Sequence, residues 1–438
     1  MKLVLTDYNR ENTERFKSSL TKAEIPFVHV NIQYDGFLAP DILNPFAYFM
    51  GYYQKPEKHR YFNQIPLPPF YEARNVDGGK SEILQGDNVV GHIFYQPNTN
   101  RLVKEVVWYN RIGKKVAVER YNIQGEKYAD VIVDKDGKDS KVVYYQGSKP
   151  VIDFDLSSKN ILLKKNGMTQ SFNNLTEFVL YFIETIVKEK LGFDFDEVIY
   201  NNLATPLFVS NRLPQRATLY FQEFIKDEIP GNMVGVLAGR TPTKRILFEN
   251  IKQLKKVETL IQEEPAKIPL DYLGAIEEFR RDNDFTQGAL TITFSDQILH
   301  EDKLAEALAK RGKTWTIAAP SEVSDKLRNF SNAHDNINLL ERINGDDIPE
   351  LLAKHDFYLD VNRGAQMMNN IYRAYHEGML VISDQKVSKN GGYEVVLVKE
   401  EELVGAIDRN SYTSLMNILR KKKGTPATRE AYQAQFGA

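Results

Sequence analysis

The chain has 438 residues, 42% of them hydrophobic and 26% charged, with seven histidines, no cysteine and a formal net charge of −2. Such a balance predicts two or three packed domains rather than disorder, and it excludes disulfides, thiolate nucleophiles and cysteine-based zinc sites. It supplies no global field that would select nucleic acid or an anionic membrane as partner.

At the start, MKLVLTDYNREN has too short an apolar run for a signal peptide, and no stretch approaches the roughly 20 apolar residues that cross a bilayer. A cytoplasmic protein is expected. KLVLTD reads as a strand, the next residues as a helix through Thr21, and IPFVHVNI as a second strand, which opens a parallel α/β sheet. From about Phe37 to Phe172 the texture changes to short β-rich runs such as NVVGHIFYQ, LVKEVVWYN and KVVYYQG. Turn signals separate them, among them Asp77-Gly78, Pro97-Asn98, Asp136-Gly137 and Asn166-Gly167. Runs of this length and spacing predict an antiparallel meander, an insertion into the α/β domain. In KVAVERY, Val116, Val118 and Arg120 alternate with Ala117, Glu119 and Tyr121, the pattern of a sheet wet on one side. Its open edges invite partners, or the sheet packs as a lid on its own domain.

The α/β texture returns at Leu175. A helix over LTEFVLYFIETIVKEKL is followed by a strand at DEVIYNN, a helix from TPLFVSNRL, a mixed RATLYFQEF, a strand at NMVGVLAG (Asn232–Gly239) and a strand at RILFENI. LKKVETLIQEE closes the set as a helix. EEPAKIPLDYLG is the expected inter-domain segment. Repeating strand–helix units from near Gly288 through EELVGAI predict a second doubly wound sheet. The division expected is 1–36 with 173–270 for the first Rossmann-like domain, 37–172 for the inserted sheet, 271–415 for the second Rossmann-like domain, and 416–438 for a C-terminal helix or tail.

Chemistry is conspicuous by what is missing. The loops after the first strand of each half, DYNREN and DQILHEDK, contain no glycine to cradle phosphate. Glycosyltransferases with two Rossmann domains typically carry a Gly-Arg and a Lys after the second of these strands, cations that clamp a nucleotide diphosphate. Here the stretch offers Ser295, Asp296, Gln297, His300, Glu301 and Asp302, with Lys303 alone. Those enzymes also hold the donor sugar with acidic side chains before the last strands; this chain has Arg363, Ala365 and Arg373 there, and arginine supplies only donors and inverts the charge. No H-E-x-x-H or G-x-S-x-G occurs, and the histidines are scattered as satisfied polar groups. Trp108 and Trp315 read as core anchors. LRKKKG (Leu419–Gly424) is a solvated helix end or a weak attraction to anionic lipid. No metal and no cofactor is expected.

DGFLAPDILNPFAYF, RYFNQIPLPPFYE, IYNNLATPLFVS, IPGNMVGVLAGRT, TFSDQIL, SDKLRNF and FYLDVNRGAQMMNNIYRAYHEG resemble the stabilising subunit of the accessory Sec-system glycosyltransferase. The resemblance runs from near the N-terminus to about Asp384. It implies a GT-B-type fold, two Rossmann-like domains with an inserted extended antiparallel β-sheet. It also implies a non-catalytic subunit that stabilises a catalytic glycosyltransferase in a 2:2 heterotetramer, peripheral on the cytoplasmic face of the membrane. The pair adds GlcNAc to Ser/Thr of serine-rich repeat adhesins before export in Gram-positive bacteria, and this subunit helps hold the acceptor. The rivals are an active glycosyltransferase with an atypical donor site and a plain chaperone of the partner. The crevice between the two α/β halves is the expected acceptor groove. Asn201, Asn202, Arg240, Thr241, Asp296 and Arg363, read as strand C-terminal ends, are the expected acceptor-binding residues; capping of local structure is the alternative for each. Alone, the chain is expected to self-associate through its exposed sheet.

Overall fold

The computed structural model describes residues 1–76, 79–97, 99, 101–277, 288–364, 366, 369–389, 392–407, 409–423 and 426–437, and only the backbone of 409–411 and 421–423. Asp77, Gly78, Asn98 and Ala365, named above, lie outside the described residues, as do the lysine side chains of LRKKKG. Met1–Gln96, Arg101–Ile276 and Pro426–Ala438 form one compact unit, and Pro97–Asn100 with Glu277–Thr425 form a second.

In the first unit the order is β1 (Lys2–Thr6), α1 (Glu11–Lys22), β2 (Phe27–Asn31) and α2 (Pro45–Phe49). The meander follows: β3 (Tyr71–Asn75), β4 (Lys80–Gln85), β5 (Asn88–Tyr95), β6 (Val103–Tyr109), β7 (Lys115–Tyr121), β8 (Lys127–Val133), β9 (Asp139–Gln146), β10 (Lys149–Asp155), β11 (Ile161–Lys165) and β12 (Met168–Phe172). Then come α3 (Leu175–Phe182) with a π-helical continuation over Ile183–Lys190, β13 (Glu197–Tyr200), α4 (Thr205–Ser210), β14 (Arg216–Phe221), α5 (Gly231–Leu237), β15 (Thr243–Phe248), α6 (Ile251–Leu260) and β16 (Leu270–Tyr272). The second unit holds β17 (Ala289–Ile292), α7 (Glu301–Ala309), β18 (Trp315–Ala318), α8 (Asp325–Asn332), β19 (Ile337–Leu340), α9 (Ile348–Ala353), β20 (Phe357–Asp360), α10 (Asn370–His376), β21 (Leu380–Asp384), β22 (Val395–Leu397), α11 (Glu400–Ala406) and α12 (Arg409–Lys423). A last helix, α13 (Arg429–Phe436), belongs to the first unit.

Each unit has a six-stranded parallel sheet, ordered β16-β15-β14-β13-β1-β2 in the first and β19-β18-β17-β20-β21-β22 in the second. Central strands such as KLVLT, EVIY and LVISD are buried at every position, because helices cover both faces of a parallel sheet. β3 to β12 form one ten-stranded antiparallel meander in chain order. One face of it joins the core of the first unit through Val107, Val118, Tyr128 and Val142, packed with Phe46, Phe178 and Phe182 of α2 and α3.

Three local expectations need correction. NMVGVLAG is a helix, not a strand: Met233, Val236 and Leu237 are its buried residues, a spacing of three and four that fits 3.6 residues per turn. The meander is not wet along one whole face, since Ile65, Phe62 and Leu67 cover a second cluster of Ile83, Ile93, Val106 and Tyr121. EEPAKIPLDYLG, expected between the domains, lies within the first unit, where Leu270–Tyr272 adds a parallel edge strand beside β15. The tail also has a place. Tyr432 and Phe436 of α13 are buried with Phe16 and Tyr220, whose rings stack at 3.9 Å. Arg245 donates to the Gln435 backbone oxygen at 2.5 Å.

Candidate functional site

In the first unit, loops at the C-terminal ends of the parallel strands carry polar side chains, the usual place for a ligand in such sheets. Several of these groups satisfy one another. Asn201 Nδ2 donates to Gln222 Oε1 at 3.2 Å, Gln222 Nε2 donates to the Asn12 backbone oxygen at 2.8 Å, and Arg15 pairs with Glu249 at 2.6 Å. Asn202 Oδ1 accepts from the Ala204 amide at 3.0 Å. Asn201 Oδ1 is buried without a hydrogen-bond partner.

Beside this network, β1, β2 and the meander enclose a pocket of about 330 Å³. Tyr8 follows β1 in sequence, Tyr34 and Asp35 follow β2, and Glu105, Arg120 and Tyr128 come from β6, β7 and β8. Glu105 and Arg120 are cross-strand neighbours, yet among the described residues they form no ion pair with each other or with any other group. Tyr34 meets the Tyr128 ring edge-on at 4.9 Å. Burial raises both phenols far above the ordinary tyrosine value, so both stay neutral donors. Unpaired charges of both signs beside aromatic rings suit a neutral ligand rich in hydroxyls or amides, which donates to carboxylates and accepts from guanidinium. They suit an isolated phosphate poorly.

The second unit has its own crevice at the ends of β17 and β18. Thr293, Ser295, Asp296, Glu322 and Ser324 are among the residues lining about 260 Å³, and among the described residues no lysine or arginine lines it. Next to it in sequence, the start of α7 is already neutralised from within. His300, in the left-handed region at φ 58°, places Nε2 3.0 Å from Asp384 Oδ2 and Nδ1 3.0 Å from Glu400 Oε2. Lys303 Nζ is 2.5 Å from Glu400 Oε1, and Lys326 pairs with Glu301 at 3.1 Å. Both of these lysines are therefore paired with the protein's own carboxylates. Nearby, Asp360 pairs with Lys389, and burial still raises its carboxyl to about 6.

The structure sorts the expected acceptor residues. Asp296 and Arg363 follow β17 and β20, and the Arg363 amide donates to the Gln297 oxygen at 3.1 Å. Asn201 and Asn202 follow β13. Arg240 and Thr241 do not lie at a strand C-terminal end: they follow α5 and precede β15, at the opposite edge of the sheet, because the preceding segment is a helix. Thr241 Oγ1 accepts from the Thr243 amide at 3.4 Å. The pocket around Glu105 and Arg120 was missed. Its available signal was a tyrosine just after each of the first two strands, in TDYN and IQYDG.

Three family models match in chain order: the GtfB middle domain over residues 71–173, the GtfB third domain over 175–260, and the GftB/GlyA-F C-terminal domain over 289–430. Curated relatives are named UDP-N-acetylglucosamine–peptide N-acetylglucosaminyltransferase stabilizing protein GtfB. The one from Streptococcus gordonii is 28% identical over 99% of this chain and 94% of its own, and the one from Streptococcus agalactiae is 28% identical over 99% of both. Among solved structures, a chain in a crystal structure of the GtfA/B complex bound to UDP and GlcNAc superposes with a TM-score of 0.84 at 25% identity, covering 99% of this chain and 98% of that one. A chain of the accessory secretory protein 1, 2 and 3 structure from Streptococcus pneumoniae shares the fold, with a TM-score of 0.57 at 11% identity over 99% and 98%. With its sheets, its domain models in order and its full-length relatives in agreement, the chain belongs to the GtfB family of glycosyltransferase-stabilising proteins.

Proposed function

We propose that this chain is the non-catalytic subunit of a protein O-GlcNAc transferase: it stabilises the catalytic subunit and holds the Ser/Thr-rich acceptor. The observation that carries the non-catalytic part is the His300–Asp384–Glu400–Lys303 cluster. Where a donor diphosphate needs cations, this chain pairs Lys303 with its own Glu400. The acceptor part is supported by the pocket of Tyr8, Glu105, Arg120 and Tyr128, whose mixed charges match the hydroxyls and amides of a serine-rich chain. Asp296, Arg363, Asn201 and Asn202 extend this reading as further acceptor contacts. Arg240 and Thr241 keep a place in it only if the acceptor wraps to the far edge of the sheet.

A disordered repeat chain binds weakly per contact. Holding one part of it raises the local concentration of the rest at the partner's active site, an effective concentration that short tethers bring to about the millimolar range. In this reading two copies of each subunit assemble in the cytoplasm, with weak attachment to the membrane surface. The acceptor is an adhesin exported by the accessory Sec system, and the lone chain pairs through its sheet.

The test is co-expression with the catalytic subunit, followed by capture on an immobilised serine-rich repeat peptide. The complex and the lone chain are both expected to be retained, and the catalytic subunit alone to be retained less and to be less soluble. UDP-GlcNAc titrated into the lone chain is expected to give neither saturable heat nor sugar transfer. Turnover would instead establish an active enzyme with an atypical donor site. Partner solubility without peptide retention would establish a plain chaperone.

A further inference from the structure

Four lysines from three elements of the first unit converge on one pocket of about 320 Å³. Lys149 comes from β10, Lys164 and Lys165 from β11, and Lys190 from the end of the π-helical segment; Tyr48 and Phe49 of α2 form part of the wall. Among the described residues no aspartate or glutamate lines the pocket. Lys164 is paired outside the lining with Asp153, which accepts from both Lys141 and Lys164 at 2.9 Å, so one negative charge is divided between two ammonium groups. Lys149, Lys165 and Lys190 have no ion pair among the described residues. In a chain with a net charge of −2, this excess of cations is local.

Two of the ammonium groups are pre-placed. Lys165 Nζ lies 5.6 Å from the centroid of the Phe49 ring, and Lys190 Nζ lies 5.3 Å from that of Tyr48. The two rings belong to adjacent residues and stand 5.6 Å apart, nearly perpendicular at 87°. Each ring attracts its own cation through the face of its π system, which limits the side-chain freedom a ligand would otherwise have to remove. Like charges that line one pocket repel, and an anion that joins them relieves the repulsion. Lysine ammonium is a compact point charge with three donors, well matched to phosphate oxygens.

We propose that this pocket binds a phosphate-bearing anion. The chemistry is common to a soluble phosphate and to a phospholipid headgroup, and the ligand sits apart from the acceptor pocket described above, which is lined by other residues.

The test uses the full chain at low salt. Inorganic pyrophosphate and inorganic phosphate are titrated by calorimetry, with sodium chloride at matched ionic strength as control. In parallel, the chain is sedimented with vesicles of phosphatidylcholine alone or mixed with phosphatidylglycerol. Saturable binding is expected, tighter for pyrophosphate than for phosphate, and weakened at least about tenfold in the Lys165→Gln/Lys190→Gln double variant with an unchanged far-ultraviolet spectrum. Sedimentation with phosphatidylglycerol vesicles that the double variant loses identifies a headgroup; pyrophosphate binding without sedimentation identifies a soluble anion. If the double variant does not fold, Lys149→Gln on the exposed rim is read instead, with a loss of about threefold expected. Binding equal to wild type in the variants, or no binding to either pyrophosphate or phosphatidylglycerol vesicles, overturns the proposal.

Discussion

Glu105 on β6 and Arg120 on β7 stand directly opposite one another, both line the same pocket, and they form no ion pair. Opposite charges at neighbouring positions of an antiparallel sheet ordinarily attract. Holding their ends apart leaves both available to a ligand. If that ligand is the acceptor, Arg120→Gln and Glu105→Gln should each weaken binding of a serine-rich peptide by about tenfold, on the scale of a hydrogen bond to a charged group. Calorimetry of the complex measures this, and the melting temperature should move little, because neither charge has a partner to lose.

The ion-pair cluster at α7 yields a second expectation. Glu400→Gln removes the charge shared by His300 and Lys303 and should lower the stability of the second unit by about 1–2 kcal/mol. It should not create UDP binding, since among the described residues the crevice of Asp296 and Glu322 still has no lysine or arginine in its lining. Urea unfolding in a Trp108→Phe background, followed at Trp315, reports this unit alone, as the chain has only two tryptophans and each unit contains one.

His29 in the first unit and Asp360 in the second should respond oppositely to acid. His29 is 2% exposed and bonded to Thr6 at 2.7 Å, and burial holds its pKa well below 6.5. A depressed histidine stays neutral in the fold, so its contribution is present above the unfolded pKa and is lost as pH falls below about 6.5. Asp360 is raised from 3.8 to about 6, chiefly by burial and against the pull of Lys389. Its contribution is present below the unfolded value and is lost as pH rises through about 6. Unfolding midpoints between about pH 4 and 7, read at Trp108 in a Trp315→Phe chain and at Trp315 in a Trp108→Phe chain, should drift in these opposite senses. His29→Gln and Asp360→Asn should each flatten the corresponding slope.

The last helix is structural. Deleting 426–438 would uncover Phe16 and Tyr220 and leave Arg245 without its bonds to Gln435. Loss of two buried aromatic side chains costs several kcal/mol, of the order of 3–5 for one such residue truncated in a core. The truncated chain should melt at a markedly lower temperature at Trp108 while Trp315 changes little. Tyr432→Ala in the full chain should reproduce much of the effect.

What could be read in advance follows from periodicity and charge. Alternation and turn residues named the meander, because a strand's side chains repeat every two residues and its turns demand Gly or Asn. All-apolar runs named the parallel strands. The absence of a Gly-Arg clamp named the lost donor chemistry, because the strand-to-helix loop that would carry it offers carboxylates instead. Tertiary structure decided the rest. NMVGVLAG is apolar enough for either a strand or a helix, and the burial of Met233, Val236 and Leu237 at helical spacing marks the helix, which places Arg240 and Thr241 before β15. Glu105 and Arg120 lie 15 positions apart, and they reach Tyr8 and Tyr34 only because the meander packs on the first sheet. Four lysines spread from 149 to 190 become a single positive pocket by the same packing. Local pattern fixes what a segment becomes, since it depends on near neighbours; which distant side chains share a cavity depends on how the sheets stack, and that is set by the sum of many weak contacts.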